Sequence, residues 1–448
     1  MQTQKDHVHA YQFLMQRMTT ALLVGDPSNA ELPTRRGRTG LIAGALIALL
    51  IVIGFGVYGL IVPGGNTAWK QKGAILVERE SGSRYVFLGG RLLPTPNQAS
   101  AMLVQGPGSK ITLISRSSLA ALPRGPQVGI AGAPDTVPRP NELMPGQWLL
   151  CPSAAPGGAG MSVNFDAAVP NGAVPDDFYA PVRTPDGKVF LIWRGVKHRV
   201  SDVDSLVVLG LGSTLPLIVP DLWLGLIPEG PALTAADIPG SGGPGPKVAG
   251  SPHRIGDLFV HRPGNGIEQH YVLVNGGLVP LSATEFALLE AKSGKAPVAI
   301  DAQAVLAAPF APDDSMLTRL PDLAGKRPLP ATEGQVCLER TGRGAEITTS
   351  VVAVPGAEKW PPVAVAGALL PPSHGVLVAE LPVPNGQDEP NRYLISDRGK
   401  RFLIPDDDSL QALGLGGVQP IPMRTEVLST IPTGPVLSRA AVVVEQGG

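Results

Sequence analysis

Charge is scarce in this sequence, and so is most of what builds a chemical site. Asp, Glu, Lys and Arg make up 16% of the 448 residues, against roughly 25% in an average soluble domain. Lys plus Arg (36) nearly equals Asp plus Glu (37). With no basic excess to displace phosphate counterions, a nucleic-acid partner is excluded. Aromatic residues are 5% and cysteines only two. None of the Gly-Lys pairs (Gly187-Lys188, Gly294-Lys295, Gly325-Lys326, Gly399-Lys400) is followed by Ser or Thr, so there is no phosphate-binding P-loop. G-x-S-x-G, H-E-x-x-H and C-x-x-C are missing as well. His7 and His9 would point to different faces of a helix and make a poor metal pair. The Asp-Ser-Leu motif at Ser205 and Ser409 stands where a helix starts, which favours capping over a nucleophile. Asp406-Asp407-Asp408 is read as an acidic helix N-terminus rather than a calcium loop. No catalytic residue, metal site or cofactor is read, and the sequence leans away from an enzyme.

What is plentiful is Gly (55) and Pro (47), the composition of a folded chain with many turns and short strands. One stretch departs from it. Residues 41–62 read LIAGALIALLIVIGFGVYGLIV without a charge, long enough for a helix across a hydrocarbon core of about 30 Å. Arg35, Arg36 and Arg38 lie just before it, which predicts a single span with a cytoplasmic N-terminus and the bulk of the chain outside. A cleaved signal peptide fits less well, since its apolar region is shorter and lies nearer the start.

Both cysteines, Cys151 and Cys337, then lie in an oxidising compartment, where a disulfide between them is the default and two buried thiols the alternative. Their spacing matches an internal repeat. Residues 189–233 align without a gap on 393–437, with 17 identities, among them Asp204–Gly212 against Asp408–Gly416. Residues 85–123 align on 271–309 at a spacing of 186, including Gly90/Gly276, Leu92/Leu278, Pro94/Pro280 and Pro123/Pro309. The cysteines are separated by the same 186 residues. A bond between equivalent positions lies near a pseudo-two-fold axis.

The expected fold is therefore α+β: four small repeats, each a three-stranded meander with one helix, around a disulfide-pinned β-rich core. The boundaries run 1–40 (cytoplasmic helix and basic linker), 41–62 (span), 70–138 (repeat A), 139–180 (core segment), 181–234 (repeat B) and 235–250 (Gly/Pro/Ser linker). They continue 251–312 (repeat A′), 313–374 (core segment), 375–437 (repeat B′) and 438–448 (tail). Ahead of the span, Val8, Tyr11, Met15, Met18 and Leu22 fall at helical spacing. A lone helix has no core for that stripe, which marks it as a docking surface for a partner, with the membrane surface as the rival.

This order of features resembles the EccB family, core membrane components of the type VII (ESX) secretion system. The resemblance is carried by His9-Ala10-Tyr11-Gln12-Phe13 and by Arg17-Met18 with Ala21-Leu22 in the first helix. The span after Arg35–Arg38 and the cysteine pair within A–B–A′–B′ complete it. It implies a structural subunit supporting protein export, and repeats similar to phage-lysin wall-binding modules. The implied partners are the EccC motor ATPase, EccD, EccE and further copies of the chain in a hexameric assembly. Some members carry an ATPase label; an ATP-hydrolysing subunit and a peptidoglycan-binding module are the alternatives.

Overall fold

The structure, a computed structural model, describes residues 4–24, 34–61 and 68–444, the last stretch without 154–159, 167, 212–214, 265, 331–332, 345 and 356–366. Two compact units form, residues 1–92 with 111–125 and residues 93–110 with 126–448.

The first unit begins with helices α1 (Gln4–Val24) and α2 (Thr34–Ile61). Twenty-eight residues in α2, at 1.5 Å each, span about 42 Å. Residues 37–59 are long and apolar enough to cross a membrane, and none of that stretch is buried. The helix starts seven residues earlier than the uncharged run, so Arg35, Arg36 and Arg38 belong to it rather than to a linker. Arginine is a good helix former, so the helix extends backwards through it beyond the apolar run.

From here the strands follow in chain order. β1 (Ala74–Glu78), β2 (Arg84–Leu88) and β3 (Arg91–Thr95) precede α3 (Gln98–Gln105), β4 (Lys110–Ile114) and α4 (Arg116–Leu119). β5 (Gln147–Ser153), β6 (Gly160–Asn164) and β7 (Gly172–Ala173) come next. β8 (Phe178–Arg183), β9 (Val189–Trp193) and β10 (Val196–Val200) lead to α5 (Val203–Val208), β11 (Leu217–Ile218) and α6 (Asp221–Gly225). β12 (Leu258–His261), β13 (Gln269–Val274) and β14 (Gly277–Leu281) lead to α7 (Ala283–Ser293), β15 (Val298–Ile300), α8 (Ala302–Ala307) and α9 (Ser315–Thr318). β16 (Arg327–Pro328), β17 (Gln335–Arg343), β18 (Glu346–Val354) and β19 (Gly367–Leu369) follow. β20 (Gly375–Leu381), β21 (Arg392–Ser396), β22 (Arg401–Ile404), α10 (Asp407–Ala412), β23 (Ile421–Arg424), α11 (Thr425–Ser429) and α12 (Arg439–Val444) close the chain.

Four of the sheets share one order: β3-β2-β1-β4, β10-β9-β8-β11, β14-β13-β12-β15 and β22-β21-β20-β23. Each is an antiparallel meander plus a fourth strand, which in the last three runs parallel to the first strand of the meander; the β8 sheet has a fifth, β16, also parallel to β8. That fourth strand goes beyond the three-stranded expectation. The remaining sheet, β19-β6-β5-β17-β18-β7, draws its strands from two distant parts of the sequence.

Matching segments repeat their local bonds. Asp202 and Asp406 cap α5 and α10, accepting from the Ser205 N–H at 2.6 Å and the Ser409 N–H at 2.7 Å. The serines are thus buried at the third position of the first turn, and the caps are the aspartates before them. Both helices end on a glycine at positive φ, Gly210 at 74° and Gly414 at 73°, the left-handed conformation that terminates helices. Leu92 N–H donates to Pro123 O at 2.7 Å, and Leu278 N–H to Pro309 O at 2.7 Å.

The main core lies on one face of the central sheet. Trp148, Leu150, Val163 and Leu338 pack there with Phe190 and Ile192 of β9 and with Val378 and Ile395 of β20 and β21. The 235–250 stretch is not a free tether, because Ala236 and Val248 are buried.

Candidate functional site

Three features of this fold could serve a function: the seam of the central sheet, the buried ties between neighbouring sheets, and the exposed N-terminal helices.

At the seam, β17 pairs antiparallel with β5, Leu338 opposite Leu150 and Arg340 opposite Trp148. The same register sets Cys337 directly across from Cys151. Their Cα atoms are 4.5 Å apart and the sulfurs are bonded, a spacing typical of a non-hydrogen-bonded antiparallel pair. Leu149, Val352 and Val354 bury the bond on the face opposite Trp148.

The ties were not legible in the sequence. Glu285, fully buried in the first turn of α7, receives Arg319 through Nε at 2.7 Å and Nη2 at 2.8 Å. The Ala236 N–H donates to the same carboxylate at 3.0 Å, and Arg319 Nη2 also donates to Thr234 O at 2.6 Å. One carboxylate therefore fixes the exit from the β8–β11 sheet onto α7 and onto the segment after α9. α7 packs on α5, and α3 packs on α10 and α12. In the β8–β11 sheet His198 is buried, its Nδ1–H donating to Pro231 O at 3.0 Å. Burial pushes its pKa below the ordinary histidine value, with the Pro231 bond opposing.

On α1, Val8, Tyr11, Met15, Met18 and Leu22 are 48–85% exposed, so the predicted stripe is bare. Phe13 and Leu14, outside the stripe, are bare too. Arg38 is exposed at the start of α2; the side chains of Arg35 and Arg36 lie outside the described residues.

Among the described residues no three His, Cys, Asp or Glu side chains come together as a metal site. A cleft of about 510 Å³ beside Ala180, Pro181, Leu217, Leu329 and Val336 carries no titratable side chain.

Comparison with known proteins decides the family. All of residues 1–448 match the family described as Type VII secretion system ESX-1, transport TM domain B. The chain belongs to the EccB family. Its relatives include the ESX-3 secretion system ATPase EccB3 of Mycolicibacterium smegmatis, 26% identical over 98% of this chain and 90% of that protein. The ESX-5 secretion system ATPase EccB5 of Mycobacterium tuberculosis is 27% identical over 98% of this chain and 93% of its own. A chain of the intact ESX-5 inner membrane complex is similar over 99% of this chain and 95% of its own length, at 25% identity and TM-score 0.56. A chain of the periplasmic assembly from that complex covers 86% of this chain and 98% of its own, at 25% identity and TM-score 0.59. The transmembrane domain in the family's description agrees with the long apolar stretch of α2.

Proposed function

We propose that this EccB-family chain is a structural subunit of a type VII secretion membrane complex. It is anchored by α2, with its N-terminus cytoplasmic and the residues after the span outside. The observation that carries the reading is the division of exposed apolar surface. α2 offers a bare apolar length that suits lipid, and α1 offers a bare stripe with no core to receive it. Arg35, Arg36 and Arg38 at the start of α2 support the orientation.

The stripe Val8, Tyr11, Met15, Met18 and Leu22 docks on a cytoplasmic partner, the EccC-type motor or a neighbouring subunit. Each such side chain left in water forfeits about 1.5–3 kcal/mol. Lys5 and Arg17, offset by Asp6, give anionic lipid little to attract, which disfavours the membrane surface. EccD- and EccE-type subunits and further copies in a hexameric assembly complete the proposed partners. The four like-ordered sheets are read as repeats A, B, A′ and B′, with peptidoglycan contact as a subsidiary role. In the larger unit a pseudo-two-fold at the disulfide is supported by β5 and β6 standing to β17 and β18 at the cysteine spacing. The helix pairings α3 with α10 and α7 with α5 support the same axis.

Replacing Met15 and Met18 together by Asp tests docking. Insertion and the disulfide are expected to persist while co-purification with the other subunits and secretion are lost; normal assembly would refute it. The relatives' names carry the word ATPase, whereas this sequence has no P-loop. Saturable ATP binding by the detergent-solubilised chain would favour the catalytic alternative.

A further inference from the structure

On the Trp148 face of the central sheet, one residue breaks the apolar pattern. Arg340 of β17 stands directly across from Trp148 of β5 and shares a face with Val336 and Leu338, since alternate residues of a strand point the same way. It is 3% exposed. Its Nε and Nη1 are buried and meet no acceptor among the described residues, and the same holds for the indole Nε1 of Trp148. A buried guanidinium ordinarily has a carboxylate partner, because an unpaired charge in a low-dielectric interior is costly. The charged neighbours here are Arg424, at the end of β23, and Glu426, in α11, both exposed. Burial and repulsion from Arg424 push the Arg340 pKa below its ordinary value, and Glu426 opposes them.

The chemistry of the missing partner follows from the donors. Indole and guanidinium offer N–H groups and no acceptor, so these two side chains cannot satisfy each other. What completes them must accept several hydrogen bonds, carry negative charge and be small enough to enter a packed face. A carboxylate meets all three conditions, its oxygens accepting charge-assisted hydrogen bonds at Nε or at Nη1. We propose that Arg340 and Trp148 form a binding site for a carboxylate-sized anion, taken from solution or from an acidic side chain of a neighbouring subunit. Arg424, exposed beside the site, draws the anion in from solvent by the same charge that disfavours an empty Arg340.

Formate titrated into the detergent-solubilised full-length chain, with ionic strength held by a bulky organic sulfonate, tests the site. The wild-type unfolding midpoint is expected to climb with formate, by about 5 °C at a hundredfold excess over Kd. Arg340→Met should remove that dependence, and Trp148→Phe, which keeps a ring but loses the N–H, should weaken it. No formate dependence in the wild type, or an unchanged one in Arg340→Met, overturns the proposal. If Arg340→Met does not fold, an unchanged dependence in Trp148→Phe overturns it instead. Repeating the titration on the assembled membrane complex separates the sources. Dependence that disappears on assembly assigns the anion to a partner's carboxylate, and dependence that persists assigns it to solution.

Discussion

Glu285 stands three residues after Ser282, the spacing of a capping box, yet only half of the box forms. Ser282 Oγ accepts from the Glu285 N–H at 3.1 Å, while the carboxylate turns inward to Arg319 and Ala236. Removing it strands a charge, so Glu285→Ala is expected to cost about 3 kcal/mol in chemical denaturation. A loss below about 1 kcal/mol would mean that Arg319 finds water instead. His198 supplies the pH dependence. Its folded-state pKa is depressed, so below about 6.5 the unfolded chain takes up the proton first. The neutral ring's contribution is therefore present above that pH and lost as the pH falls below it. The matching residue in the β20–β23 sheet is Phe402, which suggests the control. His198→Phe should flatten this acid-side loss, read as the difference between melting midpoints at pH 7.5 and 5.5.

Elements repeat more faithfully than residues do. Gly230 faces His198 so closely that a Cβ would come within 2.4 Å of the ring, and Gly434 faces Phe402 at 2.2 Å. The ring types differ while the glycine above each is the same, because the strand and the following segment approach to contact. Gly434→Ala should therefore destabilise the β20–β23 sheet by about 1–3 kcal/mol, the range for forced overpacking. A neutral result would show that Phe402 can swing aside. Elements bounded by local signals carry their marks in the sequence: α5 and α10 start at an aspartate cap and stop at a glycine. β11 and β23 do not. A strand of two to four residues is specified by the edge it joins, here β8 or β20, and no local pattern records that edge. The Gly/Pro/Ser composition of 235–250 misled for a similar reason, since burial of Ala236 and Val248 depends on partners distant in sequence. Arg340 was invisible too. Within Gln335–Arg343 polar and apolar residues do not alternate cleanly, so nothing marks that charge as inward.

For the whole molecule the informative signals were the internal spacings. The two cysteines could be assigned to one bond because their separation repeats that of the aligned segments. Their place opposite one another in a sheet seam emerged only from the pairing of β5 with β17. Cross-linking residues 186 apart removes chain entropy from the unfolded state worth about 5 kcal/mol as an upper figure. Replacing both cysteines by alanine should lower the melting midpoint of the larger unit and leave the β5–β17 register intact. Amide exchange that remained slow across the seam in a less stable protein would be the signature.

That seam also sets a clock for biogenesis. β5 is made long before β17, the strand that covers its edge, and at roughly 5–20 residues per second the wait is about 10–40 s. Through that interval the emerging chain holds an unsatisfied row of backbone donors and acceptors beside a free thiol. Such an edge invites pairing with another nascent copy. Slowing synthesis between the two strands should therefore raise the yield of intermolecular disulfides, an error that begins on the ribosome and not in the finished fold.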